Sequence, residues 1–271
     1  MKRLISVFAL VGLAACGADN SDPAPQPVES PSPEVTPTPS PTPSVASNGA
    51  RSVAEETDDF LFEYSYPAEA GVIPELATLL DLWLAQRREE LARDSAEARR
   101  EARSNGFPYN KHSYTAEWKI VAELPDWLSL SADVATYTGG AHGNYWVQGL
   151  VWDKKNEDAF DAKQFFTSPA ALYEAVEERF CDGLDRERSK RREIPVEEFP
   201  DDPFAECPGI DELEVLVGSS NRRTFNRLTL YAGPYVAGPY VEGAYEVNVN
   251  VDAAVLETIK PEYREAFSAR N

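Results

Sequence analysis

The chain has 271 residues, 46 of them acidic against 26 basic, for a formal charge of −20, and it carries only 2 histidines and 3 cysteines. So acidic a surface excludes nucleic acid as a partner, because phosphate binding needs a basic face, and leaves a basic protein, a cation or plain solubility as its meaning. The length suits one large domain or two small ones.

The first fifteen residues, "MKRLISVFALVGLAA", carry two positive charges and then an apolar run too short to span a bilayer. Residues 1–15 therefore read as a signal peptide. The run ends in Leu13-Ala14-Ala15-Cys16, which resembles the lipobox of bacterial lipoproteins. That resemblance implies cleavage before Cys16, acylation of its thiol, and a membrane contact made through the lipid. Gly17 follows instead of aspartate, which by resemblance to Gram-negative sorting implies the outer membrane, facing the periplasm.

Residues 16–57 alternate proline with Ser, Thr and acidic residues over much of their length and offer too little apolar surface to offset the entropy of folding. They are expected to form a disordered tether. At about 3.1 Å per residue in polyproline form, some thirty such residues reach up to about 90 Å.

The folded part is expected over residues 58–271, in two packed halves of about 58–160 and 161–271. "DFLFEYSYP" (59–67) reads as a first strand. Leu76, Leu79, Leu80, Trp83, Leu84 and Leu91 then recur at helical spacing, with Gly106 just past the helix end. In the second half of this helix Glu89, Arg93 and Glu97 stand four apart and predict ion pairs along a solvated face.

Three strands follow. "YTAEWKIVAEL" and "WLSLSADVATYTGG" each alternate apolar with polar residues, and "NYWVQGLVWD" continues them. Their short connections predict antiparallel pairing. "TGGAHGN" (138–144) then falls where a hairpin turns, and Gly139, Gly140 and Gly143 suit a tight connection. His142 sits in that turn. Its functional reading, a catalytic base assisted by Asp133 or Asp153, competes with a structural or contact role. With only His112 as a second imidazole, and no HExxH, GxSxG, CxxC or GxxxxGK in the chain, the contact role is preferred. No cofactor or metal is expected.

A second helix is expected after Ser168 as cap and Pro169 at its first position, with Leu172, Val176, Phe180 and Leu184 on one side. Cys181 and Cys207 are the two cysteines left after Cys16. In an oxidising compartment they predict a disulfide that closes a loop of about 26 residues, worth roughly 3 kcal/mol. Toward the C-terminus, Tyr245, Val247, Val249 and Val251 alternate with polar residues as a strand, and Asp252 caps a last short helix broken at Pro261. The tandem AGPYV-AGPYV (232–241) is too short for a repeat architecture and reads as a local bend. The predicted class is α+β: an antiparallel sheet with a long N-terminal helix and a second helix inserted between strands.

The strand ending in "YTGGAHGN", the run "FDAKQFFTSPAALYEAV" and the later "GPYVAGPYVEGAYEVNVNV" together resemble the extracytoplasmic PdaC/RsiV-like domain family over about residues 59–267. Pro234, Tyr235, Pro239, Tyr240 and Gly243 match that family's P-Y-x-x-x-P-Y-x-x-G pattern. Val236 stands where the family often has an acid. The family occurs beside a peptidoglycan deacetylase domain and as a lysozyme-sensing ectodomain of an anti-sigma factor. Since no metal-dependent deacetylase domain follows the matched region, and only fifteen residues precede Cys16, the resemblance implies the binding module alone, hung from a lipid. Its expected function is a non-catalytic envelope binding protein for a lysozyme-like basic partner, with Tyr145, Trp146, Tyr231, Tyr235, Tyr240 and His142 as candidate contacts. Peptidoglycan is the alternative ligand, and a wall-sugar hydrolase or deacetylase using His142 is the less favoured reading.

Overall fold

Phe60, Phe62, Tyr64 and Tyr66 alternate along strand β3 (Phe60–Tyr66) and all point into one core, while the residues between them stay partly or fully exposed. In the computed structural model, which describes residues 44–45, 49–195 and 202–270, β3 sits within a seven-stranded sheet. Residues 1–15, read above as a signal peptide, Cys16 and most of the 16–57 tract lie outside the described residues.

The sheet runs in chain order from β1 (Ser44–Val45) and β2 (Arg51–Glu56) through β3, β4 (His112–Glu123), β5 (Trp127–Tyr137) and β6 (Asn144–Asp153) to β7 (Asp158–Phe160). All neighbours pair antiparallel except β3 and β4, which run parallel with Phe60 opposite His112. That pair needs a crossover. After the single turn α1 (Ala68–Gly71), the 32-residue helix α2 (Pro74–Asn105) supplies it and ends on Gly106 at φ 71°.

Leu76, Leu80, Leu84 and Leu91 of α2 pack onto Phe62, Tyr64, Trp118, Leu130 and Trp152 of the sheet, and the buried Trp118 indole N–H donates to the Tyr64 hydroxyl at 2.8 Å. In place of the expected pairing of Glu89, Arg93 and Glu97, Arg87 pairs with Glu90 and Arg93 with Asp94 along the helix, and two further arginines of α2 reach off it. Arg88 grips both carboxylate oxygens of Glu55, and Arg99 pairs with Asp59.

Strand β2 falls in the segment expected to be tether, so the ordered fold starts before residue 58. Its side chains include none that is fully buried, which left no apolar signal to read. The strand is held by its ladder to β3 and by pairs such as Arg88 with Glu55 and Lys111 with Glu56.

Beyond the large sheet, helix α3 (Pro169–Arg192) opens on Ser168, whose side chain accepts from the Ala171 N–H at 3.0 Å. A second, antiparallel sheet follows, ordered β10-β9-β8, from β8 (Leu213–Gly218), β9 (Arg227–Ala232) and β10 (Tyr245–Asn250). Phe165, Leu172, Phe180, Val215, Leu230 and Val249 form its core with α3, joined by Ala122 and Val151 from the large sheet and by Leu124 from the β4–β5 connection. Cys181 and Cys207 are bonded, with Cα atoms 5.7 Å apart. The last helix, α4 (Ala253–Thr258), is capped by Asp252, whose carboxylate accepts from the Val255 N–H.

Helix α3 runs about two turns further than its apolar pattern predicts, to Arg192, taking in part of the segment read as a stapled loop. Arg188 explains the extension. Although charged, it is only 1% exposed, because backbone carbonyls of Ala237 and Glu206 accept its guanidinium hydrogens.

Candidate binding site

Between β5 and β6 the chain turns through residues 138–143. Gly139 and Gly140 have φ of 90° and 96°, in the left-handed region where a Cβ is strained. At Gly143 a Cβ would stand 2.6 Å from the Thr136 carbonyl oxygen. The turn thus requires its glycines, and it presents His142 at its tip.

The imidazole is fully engaged. Nδ1 lies 2.8 Å from the Gly143 carbonyl oxygen, so it carries a proton and donates, and Nε2 lies 3.4 Å from the Tyr235 hydroxyl. The ring stacks on Tyr240 with centroids 3.9 Å apart and planes at 23°. Tyr240 in turn donates its hydroxyl to the Gly143 carbonyl at 2.8 Å and meets the edge of Tyr145 at 6.0 Å and the ring of Tyr235 at 5.6 Å. The GGAHG turn and the PYVAGPY segment, 93 residues apart at His142 and Tyr235, converge on one aromatic cluster.

The tyrosine segment is held from behind. Tyr235 adopts φ 68°, unusual for a residue with a side chain, and is 55% exposed. Such a conformation persists where its surroundings fix it, at a cost of order 1–3 kcal/mol. The basic end of α3 does the fixing. Arg188 bonds the Ala237 carbonyl at 2.9 Å, and Arg191 bonds the Glu242 carbonyl at 2.5 Å while its guanidinium lies 4.0 Å from the Tyr245 ring centroid. Arg192 takes both carboxylate oxygens of Glu242, at 2.9 and 3.0 Å, and also pairs with Asp202. Burial pushes the Glu242 carboxyl up, but hydrogen bonds from Arg192 and Tyr245 outweigh it and hold the group below the usual carboxylate value. These three arginines had been hidden by their position in a charged run that reads as solvated.

Of the candidate contacts, His142, Tyr145, Tyr235 and Tyr240 come together. Trp146 does not, since it pairs in register with Val134, whose side chain faces the α2 core, while Tyr145 pairs with Ala135 and leaves the opposite face. Tyr231, on β9, is 6% exposed and has no ring contact with His142, Tyr145, Tyr235 or Tyr240. Neither acid considered as a helper for His142 contacts it. Asp133 pairs with Lys119 at 2.7 Å, and Asp153, at the far end of β6, accepts from the N–H groups of Lys155 and Asn156. Among the described residues no group of three or more His, Cys, Asp or Glu side chains is placed to hold a metal ion. What the arrangement offers chemically is a rigid, partly exposed aromatic surface with one imidazole.

Residues 53–145, from within β2 to the second residue of β6, match the family model described as "Deacetylase PdaC". The PYVAGPYVEG segment lies outside that match. No curated protein matches the chain. Among solved structures, a member of the DUF3298 family from Bacteroides fragilis is similar at 14% identity and a TM-score of 0.48, covering 78% of this chain and 91% of its own. A DUF3298 family protein from Pseudomonas aeruginosa is similar at 16% identity and a TM-score of 0.43, covering 86% of this chain and 99% of its own.

Proposed function

Starting from a PdaC-type domain over residues 53–145, we propose that the chain is a non-catalytic binding protein of the cell envelope, anchored through a lipid on Cys16 in the outer membrane and facing the periplasm, that engages a basic protein of the lysozyme kind. The carrying observation is the engagement of His142. With Nδ1 on the Gly143 carbonyl, Nε2 toward Tyr235 and its ring on Tyr240, the imidazole serves a contact surface and has no acid partner to make it a base. The net charge of −20 supports a cationic partner.

The test is calorimetric titration of the chain from residue 17 with a lysozyme and with soluble peptidoglycan fragments, each at low and high salt. Salt-weakened lysozyme binding that drops on Y235A or H142A supports the reading. Heat from the glycan alone replaces it with wall binding. Turnover of a wall substrate that H142A abolishes without unfolding the protein overturns the non-catalytic part.

A further inference from the structure

On the face of the large sheet opposite α2, a cleft of about 810 Å³ crosses five strands, from β2 to β6, and is walled on one side by β9 and β10. Its floor follows from the register. Val53, Tyr64, Ala116, Val134 and Trp146 form one cross-strand row, with the first four packed toward α2. The rows on either side therefore face the cleft. They bring small residues, Ser52, Ala54, Ser65, Thr115 and Ala135, interrupted by the carboxylates of Glu63, Glu117 and Asp133. Glu246 adds a fourth acid from the wall.

The acids are undercompensated. Lys119 is shared by Glu117 at 2.9 Å and Asp133 at 2.7 Å, whereas Glu63 and Glu246 have no ion-pair partner among the described residues. A second and independent feature lies beside them. Tyr231 is 6% exposed and lines the cleft, yet its hydroxyl has no hydrogen-bond partner among the described residues. It stands directly opposite Glu246 in the β9–β10 ladder. Burial raises the phenol far above its ordinary pKa, with the charges of Glu246 and Asp133 adding to the effect, so it stays a protonated donor. The ring is held among buried neighbours while the hydroxyl, unpartnered within the protein and open to the cleft, is a donor free to meet a ligand.

We infer that this cleft binds an extended polypeptide segment carrying lysine or arginine side chains, with the cations on Glu63 and Glu246 and a backbone carbonyl of the ligand on the Tyr231 hydroxyl. Four strand spacings of about 4.8 Å give a floor roughly 19 Å across, room for about six extended residues. The small floor residues let a backbone lie close. Charge favours peptide over sugar: the cleft presents the carboxylates of Glu63, Glu117, Asp133 and Glu246 against the single Lys119, and of the rings that line it Tyr145 is already engaged by the ring of Tyr240. This deepens the proposed function and rests on it, by naming where a basic partner would insert a segment.

The probe is fluorescein-labelled hexalysine, titrated by fluorescence anisotropy into the full chain and into Y231F, E63Q/E246Q and Y235A. Because the Tyr231 hydroxyl bonds nothing in the protein, Y231F removes a ligand contact without removing a fold contact, and its unfolding midpoint should match the parent's. The expected result is affinity about tenfold weaker in E63Q/E246Q and severalfold weaker in Y231F. Equal affinity for all four proteins overturns the inference, as does a glycan oligomer that binds in a Tyr231-dependent way while hexalysine does not. Lysozyme binding is scored separately. Groove-dependent hexalysine binding without lysozyme binding keeps the groove and removes the lysozyme reading, whereas lysozyme binding sensitive to Y235A but indifferent to both groove variants does the reverse.

Discussion

The two histidines occupy opposite environments. His142 stands at an exposed turn, whereas His112 is 6% exposed with its Nδ1 unpartnered, so burial holds its pKa below 6.5. The folded state thus favours neutral His112, and the unfolded chain takes up a proton as pH falls below about 6.5. Stability contributed this way is complete above that value and declines as pH falls toward the folded pKa. Thermal unfolding followed from pH 7.5 down to 5.5 should show a falling midpoint, and H112F should flatten that slope. Burial pushes both Glu242 and Asp202 up, but Arg192 and Tyr245 on the first, and the Phe204 N–H and Arg192 on the second, hold them low, so they add their own losses only at more acid pH. A midpoint flat from 7.5 to 5.5 in the parent protein would falsify the assignment to His112.

At the scale of elements, α3 and β10 approach until Gly183 touches Val247, where an added Cβ would lie 2.4 Å from a valine methyl carbon. G183A should therefore lower stability by about 1–3 kcal/mol in urea unfolding, through overpacking and not through helix propensity, which favours alanine. Where periodicity is local, the sequence displays it: the alternation of β3, the leucines of α2, the Ser168-Pro169 opening of α3, and the glycines of the 138–143 turn are all legible from neighbouring residues. What stayed illegible depends on segments far apart in the chain. The parallel pairing of β3 with β4, the strand β2 with no fully buried side chain, and the burial of Arg188 each need a partner that no window of sequence contains. Of the site, the His142 turn and the two Pro-Tyr pairs were readable as motifs. Tyr231 in the cleft and Trp146 on the other face were not separable from the clustered tyrosines without the register.

For the molecule as a whole, the charge of −20 has two consequences of opposite sign in salt. Acidic side chains repel one another in the compact state, and screening relieves that repulsion over a Debye length of about 10 Å at 0.1 M. Raising NaCl from 20 to 500 mM should raise the thermal midpoint by a few degrees while it weakens binding of any cationic partner. The pair of measurements separates the surface as a whole from the cleft, because E63Q/E246Q should mute the binding response far more than the stability response.

The parallel ladder between β3 and β4 also sets an order of events in time. β4, β5 and β6 are joined by short connections and can zip as a meander, but Phe60 meets His112 only after the 32-residue helix between them has formed and folded back. Contacts that distant in sequence are entropically late. In pulsed hydrogen exchange during refolding, amides of β4–β6 should gain protection first, and those of β2 and β3 should follow in a slower phase. The N-terminal edge of the large sheet would then be its last part to close, and until then the face that carries Glu63 would be incomplete, so recovery of binding should track the slow phase.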